Sequence, residues 1–91
     1  MAEIDVESLF NYAVKGQWRE TLEAYNKNLG ALEAKITKVE DTVLHVAVNG
    51  GHTCFVKSVL DNIDKKVSLN ILCMQNSKGN TPLHLAAQLG N

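Results

Sequence analysis

The stretch Thr81-Pro82-Leu83-His84-Leu85-Ala86-Ala87 decides how this chain folds. Gly79 stands two residues before it and Gly90 three residues after it. An earlier copy reads Thr42-Val43-Leu44-His45-Val46-Ala47-Val48 and is followed by Gly51 and His52. Thr81 suits an N-cap, and Pro82 falls at the first helical position, where a missing N–H costs nothing. Leu83, Ala86 and Ala87 predict the inner apolar stripe of a helix; Leu44, Ala47 and Val48 predict the same for the earlier copy. The small side chain of Ala47 lets a neighbouring helix come close. Gly50-Gly51 turns the chain, and Val56, Val59 and Leu60 then predict a second helix at i, i+3 and i+4.

Upstream, Val6, Leu9, Phe10, Ala13 and Val14 fall on one helical face behind Asp5, a natural N-cap. Lys15-Gly16 supplies a stop. Trp18, Leu22 and Tyr25 predict a second helix ending near Asn28, with Glu23 and Lys27 in the favourable i,i+4 order. Residues 6–28 therefore predict a helical hairpin, suited to close the first end of a stack of repeats. An independent helical arm that binds a partner is the alternative. Asn28-Leu29-Gly30 breaks the helix, and residues 31–38 predict either a turn of helix or an extended finger. From Thr42 to Thr81 is 39 residues, and the surplus over a regular repeat falls between Asp61 and Leu69. There Val67, Leu69 and Ile71 alternate with polar residues, which predicts an extended segment. Asn76-Ser77-Lys78-Gly79-Asn80 is a dense turn signal. Gly90-Asn91 falls at an inter-helix turn, which leaves Leu83, Leu85 and Leu89 without the helix expected to cover them.

A chain of 91 residues holds one domain. Its net charge of −1 gives no broad attraction for nucleic acid or anionic membrane, and its basic residues are scattered. The first residues carry three acids and no apolar leader, and no apolar run approaches the ~20 residues that span a bilayer. Cys54 and Cys73 are read as reduced thiols in apolar surroundings, since they form no CxxC. With His45, His52 and His84 they lack zinc spacing. No nucleophile, base and orienting acid fall at a recognisable spacing, so the chain predicts no enzyme and no cofactor.

The two phrases resemble the ankyrin repeat, whose Thr-Pro-Leu-His-x-Ala phrase opens a helix–turn–helix unit of about 33 residues. The resemblance implies an all-α solenoid of two to three stacked helix-turn-helix units. Residues 6–28 would be a divergent capping repeat, 38–64 the first clear repeat and 76–91 an incomplete second one. It implies structural roles for Thr42, Leu44, His45, Ala47, Gly51 and His52, and for Gly79, Thr81, Pro82, Leu83, His84, Ala86, Ala87 and Gly90. The Thr and His groups would bond each other and neighbouring backbone, tying one loop to the next.

The opening Leu9-Phe10-Asn11-Tyr12-Ala13-Val14-Lys15-Gly16-Gln17-Trp18, the stretch Ala34-Lys35-Ile36-Thr37 and the two phrases are together similar to plant ankyrin proteins with a PGG domain and a membrane tail. Val43 and Glu40 depart from that pattern, standing where Pro and a turn Gly are usual. The implied function is recognition of another protein in stress or defence signalling, on fingers and first helices. That places the contact residues at Lys38, Glu40 and Asp41 on one finger and at Gln75, Asn76, Lys78 and Asn80 on the other. Val46, Asn49, Gln88 and Leu89 would add from the helices. The alternative is a piece of a longer membrane-tethered protein whose last helix only docks the next repeat. The chain itself is expected to be cytoplasmic, to insert in no membrane and to self-associate through its open last repeat.

Overall fold

The computed structural model describes residues 5–88. Among these, six α-helices follow one another with one short 3-10 turn and no strand: α1 (Val6–Lys15), α2 (Trp18–Lys27), the 3-10 turn Ala31–Glu33, α3 (Val43–Asn49), α4 (Thr53–Asp61), α5 (Lys65–Leu72) and α6 (Pro82–Gln88). The inner helices α1, α3 and α6 pack side by side, and α2 and α4 pack in a second layer behind them. This is the predicted all-α stack of helix–turn–helix units.

Local chemistry sets the ends of α1. The Asp5 carboxylate accepts the Ser8 N–H at 3.1 Å and the Ser8 hydroxyl at 2.8 Å. Those two bonds, the hydroxyl first, hold the Asp5 carboxyl below its ordinary value. At the other end Gly16 takes φ 73°, and Gln17 N–H reaches back to the Tyr12 carbonyl at 2.8 Å. The joint between α3 and α4 repeats that design: Gly51 is left-handed, and His52 N–H reaches the Ala47 carbonyl at 2.9 Å.

The core lies between the two helix layers and the loop that follows α2. Leu9 and Ala13 of α1, Leu32 and Ile36 of the loop, Leu44 and Ala47 of α3, and Phe55 and Val59 of α4 are buried together. Thr21 is buried on α2 and donates its hydroxyl to the Gln17 carbonyl, so its polarity is satisfied inside its own helix.

Three expectations need correction. The segment around Val67, Leu69 and Ile71 is helical, as α5, and not extended. Asp64 caps it through Lys66 N–H at 2.8 Å. Ser68 and Ile71, three apart, turn inward, and the Ser68 hydroxyl donates to the Leu60 carbonyl. The alternating pattern also fits a helix, with Val67 and Leu72 half-buried beside Ile71 and Leu69 left outside.

The inner stripe of α6 also differs. Pro82 and Leu85 are buried, whereas Leu83 and Ala87 are exposed and Ala86 is half-buried. Leu83 is 54% exposed while its counterpart Leu44 is 0% exposed. The inner helix α3 lies between α1 and α6, whereas α6 packs against α3 and touches α5, and Leu83 falls on a side of α6 that neither covers. Finally, Cys54 and Cys73 are both free thiols, exposed and not enclosed by the apolar residues beside them in sequence.

Candidate functional site

Two loops project beside the inner helices. Finger 1 runs over residues 35–41 and finger 2 over residues 75–80. They match position by position at the 39-residue offset of the two phrases, so that Thr37, Glu40 and Asp41 correspond to Asn76, Gly79 and Asn80. Each finger is closed by its own bonds. In finger 2 the Asn76 carboxamide oxygen accepts the N–H groups of Lys78 and Asn80, both at 3.0 Å. In finger 1 the Thr37 hydroxyl accepts Asp41 N–H at 3.0 Å, and Ile36 N–H donates to the Asp41 carbonyl at 2.7 Å. Both turns need a left-handed residue. Finger 2 supplies Gly79 at φ 79°, whereas finger 1 forces Glu40 to φ 63°. That conformation costs an L-residue roughly 1–2 kcal/mol.

The fingers are bonded to each other. Ser77 N–H donates to the Val39 carbonyl at 2.8 Å, Asn76 Nδ2 to the Asp41 carboxylate at 2.9 Å, and Lys35 Nζ to the Gln75 carbonyl at 2.7 Å. His45 supplies the fourth link. It is fully buried, and its Nε2 lies 2.9 Å from the Asn80 carbonyl. Its Nδ1 receives Thr42 N–H at 3.1 Å and meets the Thr42 hydroxyl at 2.9 Å. A carbonyl on one side and an N–H on the other require hydrogen on Nε2 and a lone pair on Nδ1. The Thr–His motif is thus a capping box with imidazole in place of Glu, and its far nitrogen clasps the next finger. Thr81 and His84 repeat the box on α6, with reciprocal bonds of 3.3 and 3.1 Å.

His52 carries a second clasp that sequence reasoning missed. Its Nε2 donates to the Val14 carbonyl in the last turn of α1, at 2.7 Å, and so ties the second unit to the first. The ring passes between two glycines; a Cβ at Gly16 or at Gly50 would lie 3.0 Å from it. The signal was present as Gly16, Gly50 and His52 together, but only the packing of α1 beside α3 brings Gly16 near.

The predicted contact residues divide by environment. The side chains of Lys38, Glu40, Gln75, Lys78, Asn49 and Gln88 are exposed, and they make no hydrogen bond or ion pair among the described residues. Val46 is half-buried on α3. The Asp41 and Asn76 side chains are bonded to each other between the fingers, and the Asn80 backbone is bonded to Asn76 and to His45 of α3. Leu89 and Gly90 lie outside the described residues.

Hollows flank this surface. A shallow groove of about 530 Å³ separates α1 from finger 1, lined by Val6, Phe10, Ile36 and Lys38 among others. An apolar slot of about 300 Å³ lies over Val48, Val56, Leu60 and Ala86. A more polar hollow of about 220 Å³ lies between α1 and α2, with Glu20, Glu23 and Lys27 on its wall. Among the described residues no group of three His, Cys, Asp or Glu side chains could hold a metal, and no helix is long and apolar enough to cross a membrane.

Comparison with known proteins agrees with this geometry. Residues 8–91 match the family model for ankyrin repeats (3 copies). The chain is 34% identical over 86 residues to the nuclear factor NF-kappa-B p105 subunit of Rattus norvegicus, covering 94% of this chain and 8% of that protein. It is 29% identical over 91 residues to a transient receptor potential cation channel subfamily A member 1 homolog of Caenorhabditis elegans, covering all of this chain and 7% of that protein. The chain thus spans less than a tenth of the length of these relatives. No solved structure matches it. Reciprocal Thr–His boxes, left-handed inter-helix glycines, paired fingers and the family match leave one assignment: this chain belongs to the ankyrin-repeat family.

Proposed function

We propose that this chain is a protein-recognition module, with its contact surface on the two fingers and the adjoining inner helices. Ankyrin repeats are in general protein–protein interaction modules and not enzymes, and no catalytic family is indicated. The observation that carries the reading is the division of labour in the fingers. Asp41 and Asn76 spend their side chains, and Asn80 its backbone N–H and carbonyl, on holding the row of fingers in place. Lys38, Glu40, Gln75 and Lys78 project from it without partners among the described residues, and Val46, Asn49 and Gln88 extend the surface along α3 and α6. A backbone already held by these bonds loses little further freedom on binding, so that only the projecting side chains remain to be ordered. A photo-crosslinking amino acid at position 78 tests this. It should yield one dominant adduct that Lys38→Glu abolishes; an adduct pattern unchanged by that substitution would rule the surface out.

Three units, at 6–28, 38–64 and 76–91, form the proposed repeats. The finer placement we propose is among plant ankyrin proteins with a PGG domain, acting on the cytoplasmic side in stress or defence signalling. It is supported by the opening Leu9–Trp18 and its join to the first Thr–His phrase. A second reading is favoured by the exposed Leu83 and the apolar slot over Val56 and Leu60. In it, this end only seats a further unit of a longer, membrane-tethered protein. A version extended by one consensus repeat separates the two: the second reading requires a large gain in stability, and the first requires crosslinking at position 78 without it.

A further inference from the structure

Finger 1 has two edges, and among the described residues only one of them is occupied. Toward finger 2 it offers the Val39 carbonyl and the Asp41 carboxylate, which accept Ser77 N–H and Asn76 Nδ2. On the opposite edge the 39-residue correspondence puts Lys38 N–H and the Thr37 hydroxyl in the positions of those two donors. Neither donates to a protein group among the described residues.

An apolar stripe of α1 runs beside this edge. Val6, Phe10 and Val14 recur at four-residue steps and are 43%, 39% and 47% exposed. The groove between stripe and finger is lined by Val6, Glu7, Phe10, Ile36, Thr37 and Lys38. At the next seam His45 crosses from α3 to finger 2. At this seam the corresponding position is Phe10, and among the described residues no hydrogen bond joins α1 to finger 1. The Lys35 ammonium is bonded to Gln75, which leaves Lys38 as the cation of finger 1 without a partner among the described residues.

We propose that this groove binds an extended, acidic and apolar segment of a partner protein. The inference rests on the reading of the chain as a protein-recognition module and adds the chemistry of what is recognised. The segment would join the row of fingers as finger 2 does. One of its carbonyls accepts Lys38 N–H, as Val39 accepts Ser77 N–H. One of its carboxylates faces Lys38 Nζ, and an apolar side chain between them covers Phe10 and Val6. Main-chain bonds give such a segment its register, and the side chains give selectivity. Glu7 on the opposite rim keeps the acids on the finger side by repulsion.

The test uses the 15N-labelled full chain and two capped peptides, Ac-Glu-Leu-Val-Glu-amide and Ac-Lys-Leu-Val-Lys-amide, titrated by amide chemical shift. The acidic peptide should perturb Val6, Phe10, Thr37 and Lys38 first and bind about tenfold more tightly than the basic one, a difference near 1.4 kcal/mol. Lys38→Glu should invert that preference, and Phe10→Ser should weaken both peptides. Three results would overturn the inference. The groove amides could stay still with both peptides; they could shift with protein concentration alone, as a second copy would cause; or they could shift only when Met1–Ile4 is removed. If the groove fails while Lys38→Glu still abolishes crosslinking at position 78, the recognition reading survives and only the groove is lost.

Discussion

Finger 2 is held to α3 by the His45 ring, whereas finger 1 stands beside α1 at Phe10, which can offer no hydrogen bond. The two seams share an architecture and differ in one residue type at the inner-helix position. The clasped seam buries its imidazole completely, and among the described residues no buried side-chain polar atom is left without a partner. Among the described residues, the unclasped seam leaves an apolar stripe partly exposed and a finger edge without hydrogen-bond partners. Bonds that propagate a repeat also consume the groups a ligand would need. The seam with a missing bond is therefore the one with binding capacity to spare.

Breaking the clasp should have the largest effect. His45→Ala leaves the Asn80 carbonyl and Thr42 N–H unsatisfied and opens a cavity; it should cost about 3–4 kcal/mol in urea denaturation. His84→Ala on exposed α6, with the same motif, should cost less than about 1 kcal/mol. Equal losses would mean that the buried link to finger 2 is not what distinguishes the two histidines.

Next in size is the bond between the fingers. Asn76→Ala removes two acceptor bonds within finger 2 and the donor to Asp41, and should cost about 2 kcal/mol. Amide exchange at Lys78 and Asn80 should accelerate with it. Thr37→Ala, which frees a single N–H in finger 1, should cost about half as much.

The turns give a smaller and opposite pair. Gly79→Ala meets no atom within 4 Å, so its cost of about 1 kcal/mol would be purely conformational. Glu40→Gly should instead stabilise by about 0.5 kcal/mol by relieving a left-handed glutamate. If the thermal midpoint moves the same way in both variants, the strain assigned to finger 1 is absent.

The smallest expected effect is at Asp5. Its folded-state carboxyl lies below its ordinary value because Ser8 donates two bonds to the ionised form. The cap is therefore fully present above the ordinary carboxylate range and is lost as pH falls through the lowered folded value. Ser8 amide exchange should quicken over that acidic window, and Asp5→Ala should remove the dependence.

Much of this was legible beforehand. Helix ends at Asp5, Gly16, Gly51 and Thr42 follow from local bonds, which involve residues a few positions apart. The Thr–His boxes are equally local, since each joins residues three apart. The Val67–Ile71 segment misled because three alternating apolar residues fit period two as well as one side of a short helix. The inner stripe of α6 misled for another reason: Leu83 and Leu44 hold the same place in the phrase, but burial depends on how many neighbours a helix has. Of the candidate contact residues, the two lysines and Glu40 lie on the finger surface as their polarity suggested. Asp41 and Asn76 are bonded to each other across 35 residues, and no spacing in the chain announced it.

By itself, the sequence determined the repeat, its turns and its caps, because those rest on contacts within one or two helical turns. Tertiary structure alone decided which polar side chains are spent and which remain free. It brought Gly16 against His52, Lys35 against Gln75 and Phe10 against the open edge of finger 1. The physical reason is that a hydrogen bond across units depends on where helices dock, and docking is set by the buried apolar faces together.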